Sequence, residues 1–251
     1  MNTVAFLAAM EIETRPFLRR IGRYRRGSIG RLTCYRFSIH AQPCVLVETG
    51  VGRSRAADAV EALLQVETPG LAVSFGIAGA PLGGLHVGDV VFGLSVCELD
   101  GGLPGPLRPL AQMPSKALRA AELATQLSGA RVLRGVMVTT RAEQIIDWTR
   151  SDPPVLEMET SALAEVCAKA GIPLVALRSV SDSRDDPLPF DLPYFVDDQH
   201  QVMTRRFLAA ILRRPSLLTA LLRLRGNAVR AAEAAAAAVV AAVEAISPAP
   251  R

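Results

Sequence analysis

Three acids far apart in the chain, Glu13, Glu159 and Asp182, each follow closely on a short apolar run. Residues 4–9 precede Met10-Glu11-Ile12-Glu13. Val155, Leu156 and Met158 lead to Glu159, and the run 174–180 ends in Ser181-Asp182. Apolar runs of this length read as strands covered on both faces. Open α/β sheets bind ligands beyond the carboxyl ends of their strands. Any one of these acids alone reads as a helix cap or a solvated charge; three at one sheet edge read as a site. Three carboxyls with no histidine among them suit cleavage of a glycosidic bond. One protonates the leaving group, a second activates water and a third holds sugar hydroxyls. That division needs one carboxyl with a raised pKa beside a partner that stays ionised.

The elements that must position these acids are readable around them. Residues 155–186 read as strand, carboxylate, helix, glycine stop, strand, carboxylate. Thr160 and Ser161 stand where hydroxyls satisfy the first helical amides. Ala162, Leu163, Val166, Cys167 and Ala170 then recur on one face, and Gly171 and Pro173 end the helix. So compact a unit implies a parallel strand pair with a right-handed crossover. A helix over 14–21 places Pro16 in its first turn. Residues 32–39 and 44–48 read as strands, 54–66 as a helix, 71–75 as a strand, 116–127 as a helix and 134–139 as a strand. Gly50-Val51-Gly52 and Gly76-Ile77-Ala78-Gly79 read as loops beyond strands, offering close backbone approach and free amides. Strands alternating with helices give an α/β fold, a single domain built on a central mixed, largely parallel sheet flanked by helices. Residues 205–225 are basic and apolar together and read as two short helices split at Pro215. An Ala-rich helix, 228–246, is expected to pack on the body.

Composition narrows the classes. The chain has 251 residues, 50% hydrophobic, with 28 basic and 24 acidic residues for a net charge of +4. The charge is small and no basic–aromatic stacking platform is visible, which argues against nucleic acid as a partner. Cys34, Cys44, Cys97 and Cys167 lack paired metal-type spacing and read as reduced core residues. The three histidines are far apart, so no metal and no cofactor is expected. Neither a dinucleotide fingerprint, a P-loop nor a G-x-S-x-G elbow is present. The opening residues have no basic region ahead of the apolar run and read as a first strand of a cytoplasmic protein rather than a signal. The eight arginines of 15–36 read as a solvated basic face, with phosphate or membrane contact the sharper alternative.

Met158-Glu159 followed by Arg178-Ser179-Val180-Ser181-Asp182 resembles the signature of the nucleoside phosphorylase superfamily. Ala9-Met10-Glu11-Ile12-Glu13 resembles the opening of its methylthioadenosine/S-adenosylhomocysteine nucleosidases. Gly76-Ile77-Ala78-Gly79 with Val87-Gly88-Asp89-Val90-Val91 matches the family's central glycine segment. The resemblance spans about residues 1–195. It implies that Asp182 protonates the purine at N7, that Glu13 activates water, and that Glu159, beside Met158, accepts hydrogen bonds from the ribose hydroxyls. Gly79, Glu143 and Gln144 would border the base, and Ile77 and Arg178 join the substrate-binding set. The family's nucleosidases usually carry serine where Ile77 stands and an aromatic residue near Glu143. Phosphorolysis stays open, with Gly52-Arg53 and Arg20 as phosphate holders. The resemblance also implies a small-molecule nucleoside substrate and a homodimer or higher homo-oligomer.

The segment 213–223 is similar to the C-terminal region of hopanoid-associated members, which are taken to remove adenine from adenosylhopane and leave ribosylhopane. On this reading 1–200 form the catalytic domain and 201–251 a helical extension packed on it. Two roles stand open for 205–225: packing or oligomer contact, or peripheral contact with lipid through leucines and arginines. A lipid-surface module without catalysis is the alternative from another class.

Overall fold

The computed structural model describes residues 2–141, 147–184 and 216–247, the side chains of 216–221 excepted. The strands are β1 (Val4–Ala8), β2 (Arg25–Ile29), β3 (Leu32–Ile39), β4 (Gln42–Glu48), β5 (Leu71–Ala80), β6 (Val90–Asp100), the two-residue β7 (Leu103–Pro104) and β8 (Arg108–Pro109), β9 (Val132–Thr139), β10 (Pro154–Glu157) and β11 (Leu174–Ser183). The helices are α1 (Glu11–Ile21), α2 (Arg53–Leu64), α3 (Ser115–Thr125), α4 (Thr160–Lys169) and α5 (Ser216–Ile246). The main sheet runs β10-β9-β6-β11-β5-β1-β4-β3-β2. It is mixed, as expected: β1 lies parallel to β4 and β5, and β11 to β5, whereas β11 meets β6 antiparallel. A bridge between Leu156 and Gly79 joins β10 back to β5.

Side-chain alternation along the strands makes two apolar layers. Phe6, Phe37, Phe75 and Phe92 face one way, against Phe17 of α1, Ala117 and Ala121 of α3 and the alanine-rich stretch of α5. Leu7, Val45, Val47, Val91 and Ala176 face the other, against Ala56, Val60 and Leu63 of α2 and Leu163 and Val166 of α4. The phenylalanine layer is tight. Phe17 stacks on Phe75 with ring centroids 5.0 Å apart and meets Phe6 at 4.8 Å.

Five expectations change. First, β10 and β11 are not a parallel pair: β10 pairs with β9, and β9 and β6 stand between it and β11. A compact strand–helix–strand unit does not by itself decide pairing, because α4 packs over several strands of the sheet. Second, α1 starts at Glu11, so Pro16 lies in its second turn. The Glu13 carboxylate accepts the amides of Ala9 (2.8 Å) and Met10 (2.9 Å) and so begins the helix early. Third, Gly76 to Gly79 lie inside β5, which β11 pairs as far as Ala80. Fourth, 216–225 and 228–246 form one helix. Gly226 costs about 1 kcal/mol of helix propensity, too little to break a helix whose next turns are buried. The expected break at Pro215 lies outside the described residues. Fifth, the arginine-rich stretch contains a strand, β2, whose exposed residues show no apolar alternation but pair with β3.

The alanine face of α5 is what lets a helix lie close to this sheet. Ala236, Ala238 and Ala242 are fully buried against the phenylalanine layer. Phe17→Ala should therefore lower stability by about 3–5 kcal/mol, as for other large-to-small core changes. Urea unfolding checks this, and a loss under about 1 kcal/mol would show that the layer re-closes.

Candidate active site

The carboxyl ends of β5, β10 and β11 converge on Gly79, which is paired with Leu156 on one side and Asp182 on the other. A β-bulge between Val180 and Asp182 re-aims the end of β11 at this point. A Cβ at Gly79 would stand 2.8 Å from Asp182 Oδ2. A Cβ at Gly76 would overlap Glu13 Oε1. Both glycines are present because carboxylates press against the strand, which is a reason for glycine inside β5 that does not require a turn.

Glu13 is 4% exposed. Its Oε1 accepts the Ile77 amide at 3.0 Å while Oε2 holds the start of α1. Burial pushes its pKa up, against the opposing pull of the Arg178 charge and the three amides. Glu159 is 8% exposed and stands just before α4. Its Oε1 accepts the amide of Gly52 at 2.8 Å. Gly52 has φ of 97°, a conformation that only glycine adopts freely. Burial, then the negative charge of Glu157, push Glu159 up to about 7, with Arg178 and the Gly52 amide opposing and Glu13 adding to the rise. Asp182 is half-buried, and its Oδ1 accepts the Ser181 hydroxyl at 2.6 Å.

The open positions in this otherwise buried region are Ile77, Gly79, Leu156, Met158 and Asp182, all half-buried. Met158 lies between Glu157 and Glu159, one residue past the end of β10. Arg178 lies deeper, 3% exposed. Its guanidinium donates to Glu157 (2.9 Å), Thr160 Oγ1 (3.0 Å), Ser74 Oγ (3.1 Å) and the Leu177 carbonyl (3.0 Å). Glu143 and Gln144 lie outside the described residues. The proposed phosphate holders are engaged or remote: the Gly52 amide binds Glu159, Arg53 pairs with Glu98 at 2.8 Å, and Arg20 is exposed in the last turn of α1.

One acid was missed by sequence reasoning. Glu157, at the end of β10, is 4% exposed and pairs with Arg178. The Glu-Met-Glu spacing held the signal, since two acids two residues apart share a strand face. Glu157 also corrects the expected cap of α4. The orphan amide of Thr160 goes to the Glu157 carboxylate (2.8 Å) and that of Ser161 to Thr139 Oγ1 (2.9 Å), rather than to the helix's own hydroxyls.

Comparison with known proteins agrees with this architecture. The family described as the phosphorylase superfamily matches residues 3–213. A 5′-methylthioadenosine/S-adenosylhomocysteine nucleosidase of Haemophilus influenzae (strain PittEE) is 32% identical over 165 residues, 59% of this chain and 71% of the relative. One from Anoxybacillus flavithermus is 28% identical over 198 residues, 71% of this chain and 84% of the relative. Among solved structures, the nucleosidase of the same name from Neisseria meningitidis, in complex with methylthio-immucillin-A, superposes with a TM-score of 0.68 at 22% identity, covering 97% of this chain and 99% of that one. The futalosine hydrolase of Helicobacter pylori superposes with a TM-score of 0.66 at 15% identity, covering 96% and 97%.

The raised pKa of Glu159 has a consequence for stability. Unfolded, this group ionises near its ordinary 4.5; folded, near 7. Between those values the folded state binds the extra proton, so its stability falls as pH rises through the window. Glu159→Gln removes the penalty. The variant should match wild type near pH 4.5 and exceed it at pH 8 by up to about 3 kcal/mol. Urea unfolding at pH 5 and pH 8 checks this; an advantage that does not grow with pH contradicts it.

Proposed function

The chain belongs to the phosphorylase superfamily and is an enzyme of its nucleosidase kind, and from that premise we propose how its residues release adenine from a 5′-modified adenosine by hydrolysis. Glu13 is the base. Its burial strengthens it as a proton acceptor, and its amide partners hold it against β5. Water gives Glu13 a proton and its oxygen bonds to C1′ of the ribose. The C1′–N9 bond breaks as its electron pair returns to the purine, and Asp182 supplies the proton taken up at N7. Glu159 accepts the 2′- and 3′-hydroxyls, a contact that strengthens as the ring carbon gains oxocarbenium character. Gly79 leaves room for the base beside Asp182, and Arg178 acts through Glu157 and Thr160.

The observation that carries hydrolysis over phosphorolysis is the buried Glu13 carboxylate beside Glu159. A phosphate dianion entering here would meet repulsion from both acids when they are ionised, while a neutral water would not. The Gly52 amide, which a phosphate would need, already holds Glu159.

The 5′-substituent in this reading is a hopane, so the substrate is adenosylhopane and the product ribosylhopane. The support is the similarity of 213–223 to hopanoid-associated members, together with exposed Leu222, Arg223 and Arg225 on α5, which suit an oily substrate held at an anionic surface. No helix among the described residues is long and apolar enough to cross a membrane. Residues 201–251 would form a helical extension packed on a 1–200 catalytic domain, with 205–225 as the part that meets lipid, in a homo-oligomer.

Purified protein incubated with adenosylhopane and with methylthioadenosine should release adenine without phosphate, with the higher kcat/KM on adenosylhopane. Asp182→Asn should lower kcat by about 10²- to 10⁴-fold, the usual contribution of a positioned proton donor. Adenine formed only with phosphate would select phosphorolysis. Equal or better turnover of methylthioadenosine would remove the hopane assignment. No adenine from either substrate, with tail-dependent sedimentation on liposomes, would select the lipid-surface module.

A further inference from the structure

Glu157 is a buried acid that touches neither the nucleoside nor the water in the proposed reaction. Its Oε1 accepts the hydroxyl of Thr139 on β9. Its Oε2 accepts four donors: the amides of Glu159 (3.0 Å) and Thr160 (2.8 Å), the Thr160 hydroxyl (2.7 Å) and Arg178 Nη2 (2.9 Å) on β11. One carboxylate thus ties β9, β10, α4 and β11 together directly behind Glu159. Arg178 extends the tie to β5 through Ser74. An acid with five donors, one of them a paired guanidinium, stays ionised when buried. Burial acting alone would raise its pKa, but Arg178 and the hydroxyls of Thr139 and Thr160 hold it below the usual carboxylate range.

We propose that Glu157 is a positioning residue for the sugar-binding step: it fixes the Glu159 carboxylate by holding that residue's amide, and places a standing negative charge behind it. This rests on the reading of Glu159 as the acceptor for ribose hydroxyls. The groups facing Glu159 are Glu157 from β10, Arg178 from β11, Glu13 from α1 and the Gly52 amide ahead of α2. Glu157 and Glu13 favour the protonated form of Glu159; Arg178 and Gly52 favour the ionised form. A neutral carboxyl is a poorer acceptor for two hydroxyls, so Glu157 governs the pH at which sugar binding switches on. Its charge and its contacts are separable by substitution. Glu157→Gln keeps an acceptor oxygen and removes the charge. Glu157→Asp keeps the charge and withdraws the oxygens from the α4 amides.

The test measures kcat and KM for methylthioadenosine from pH 5 to 9, and follows the Glu159 carboxyl by carbon-13 NMR in glutamate-labelled full-length protein, with Glu159→Gln assigning the signal. In Glu157→Gln the acidic limb of kcat/KM and the Glu159 midpoint should both move down by about 1 pH unit or more, the scale of a like-charge partner's effect. In Glu157→Asp the limb should stay in place while KM rises about 10-fold with kcat changed by less than about 3-fold, the signature of lost uniform binding. An unmoved limb and midpoint in Glu157→Gln, or an unchanged KM in Glu157→Asp, overturns the proposal. If Glu157→Gln does not fold, the Glu157→Asp measurement decides. The NMR midpoint needs no turnover, so a wild type that releases no adenine would defeat the functional reading and leave this inference separately testable.

Discussion

Glu13, Glu157 and Glu159 are all buried, and Arg178 is the guanidinium whose charge acts on every one of them. Like charges out of water are costly, and one cation cannot neutralise three anions. The structure distributes them instead. Glu157 takes the ion pair and the hydroxyls, and so stays charged. Glu13 takes three backbone amides, and Glu159 takes one amide and is pushed toward neutrality. Three carboxyls in one region thereby acquire different protonation behaviour, which is what acid–base work on a nucleoside requires.

This arrangement dictates much of the backbone around it. Gly76 and Gly79 are bare because carboxylates lie against β5, and Gly52 turns its amide to Glu159. The start of α1 is set by the carboxylate of Glu13, the proposed base, so helix capping and the proposed chemistry use the same side chain. The cost is met away from the site. The phenylalanine layer and the alanine face of α5 supply apolar burial on one side of the sheet, and α2 and α4 on the other. Such a site stores instability that the core offsets.

Local pattern carried part of this into the sequence. The apolar runs before Glu13, Glu159 and Asp182 did mark strands or strand ends, and Gly171 (φ 68°) does close α4. Placing Glu13 and Asp182 at one edge was possible because β1, β5 and β11 run parallel and their carboxyl ends share an edge; Glu159 arrives there on β10, which runs antiparallel to β5. Pairing was another matter. β10 joins β9 and bridges to Gly79, and no periodicity in either strand encodes that non-local choice. Gly76 looked like a loop because close approach and a turn call for the same residue. Glu157 was hidden at the last position of a strand, where an acid reads as a polar boundary until Arg178 is seen opposite it. β2 escaped because an arginine-rich edge strand with one buried residue, Ile29, shows no alternation to betray it.

In the proposed reaction one nucleoside meets Glu13, Glu159 and Asp182 at once. A crystal structure of the Asp182→Asn protein with methylthioadenosine bound decides whether it does. Purine N7 should lie within hydrogen-bond distance of the position-182 side chain, with both ribose hydroxyls on Glu159 and a water between Glu13 and C1′. A nucleoside seated away from Gly79, or with its sugar hydroxyls on other groups, would contradict it.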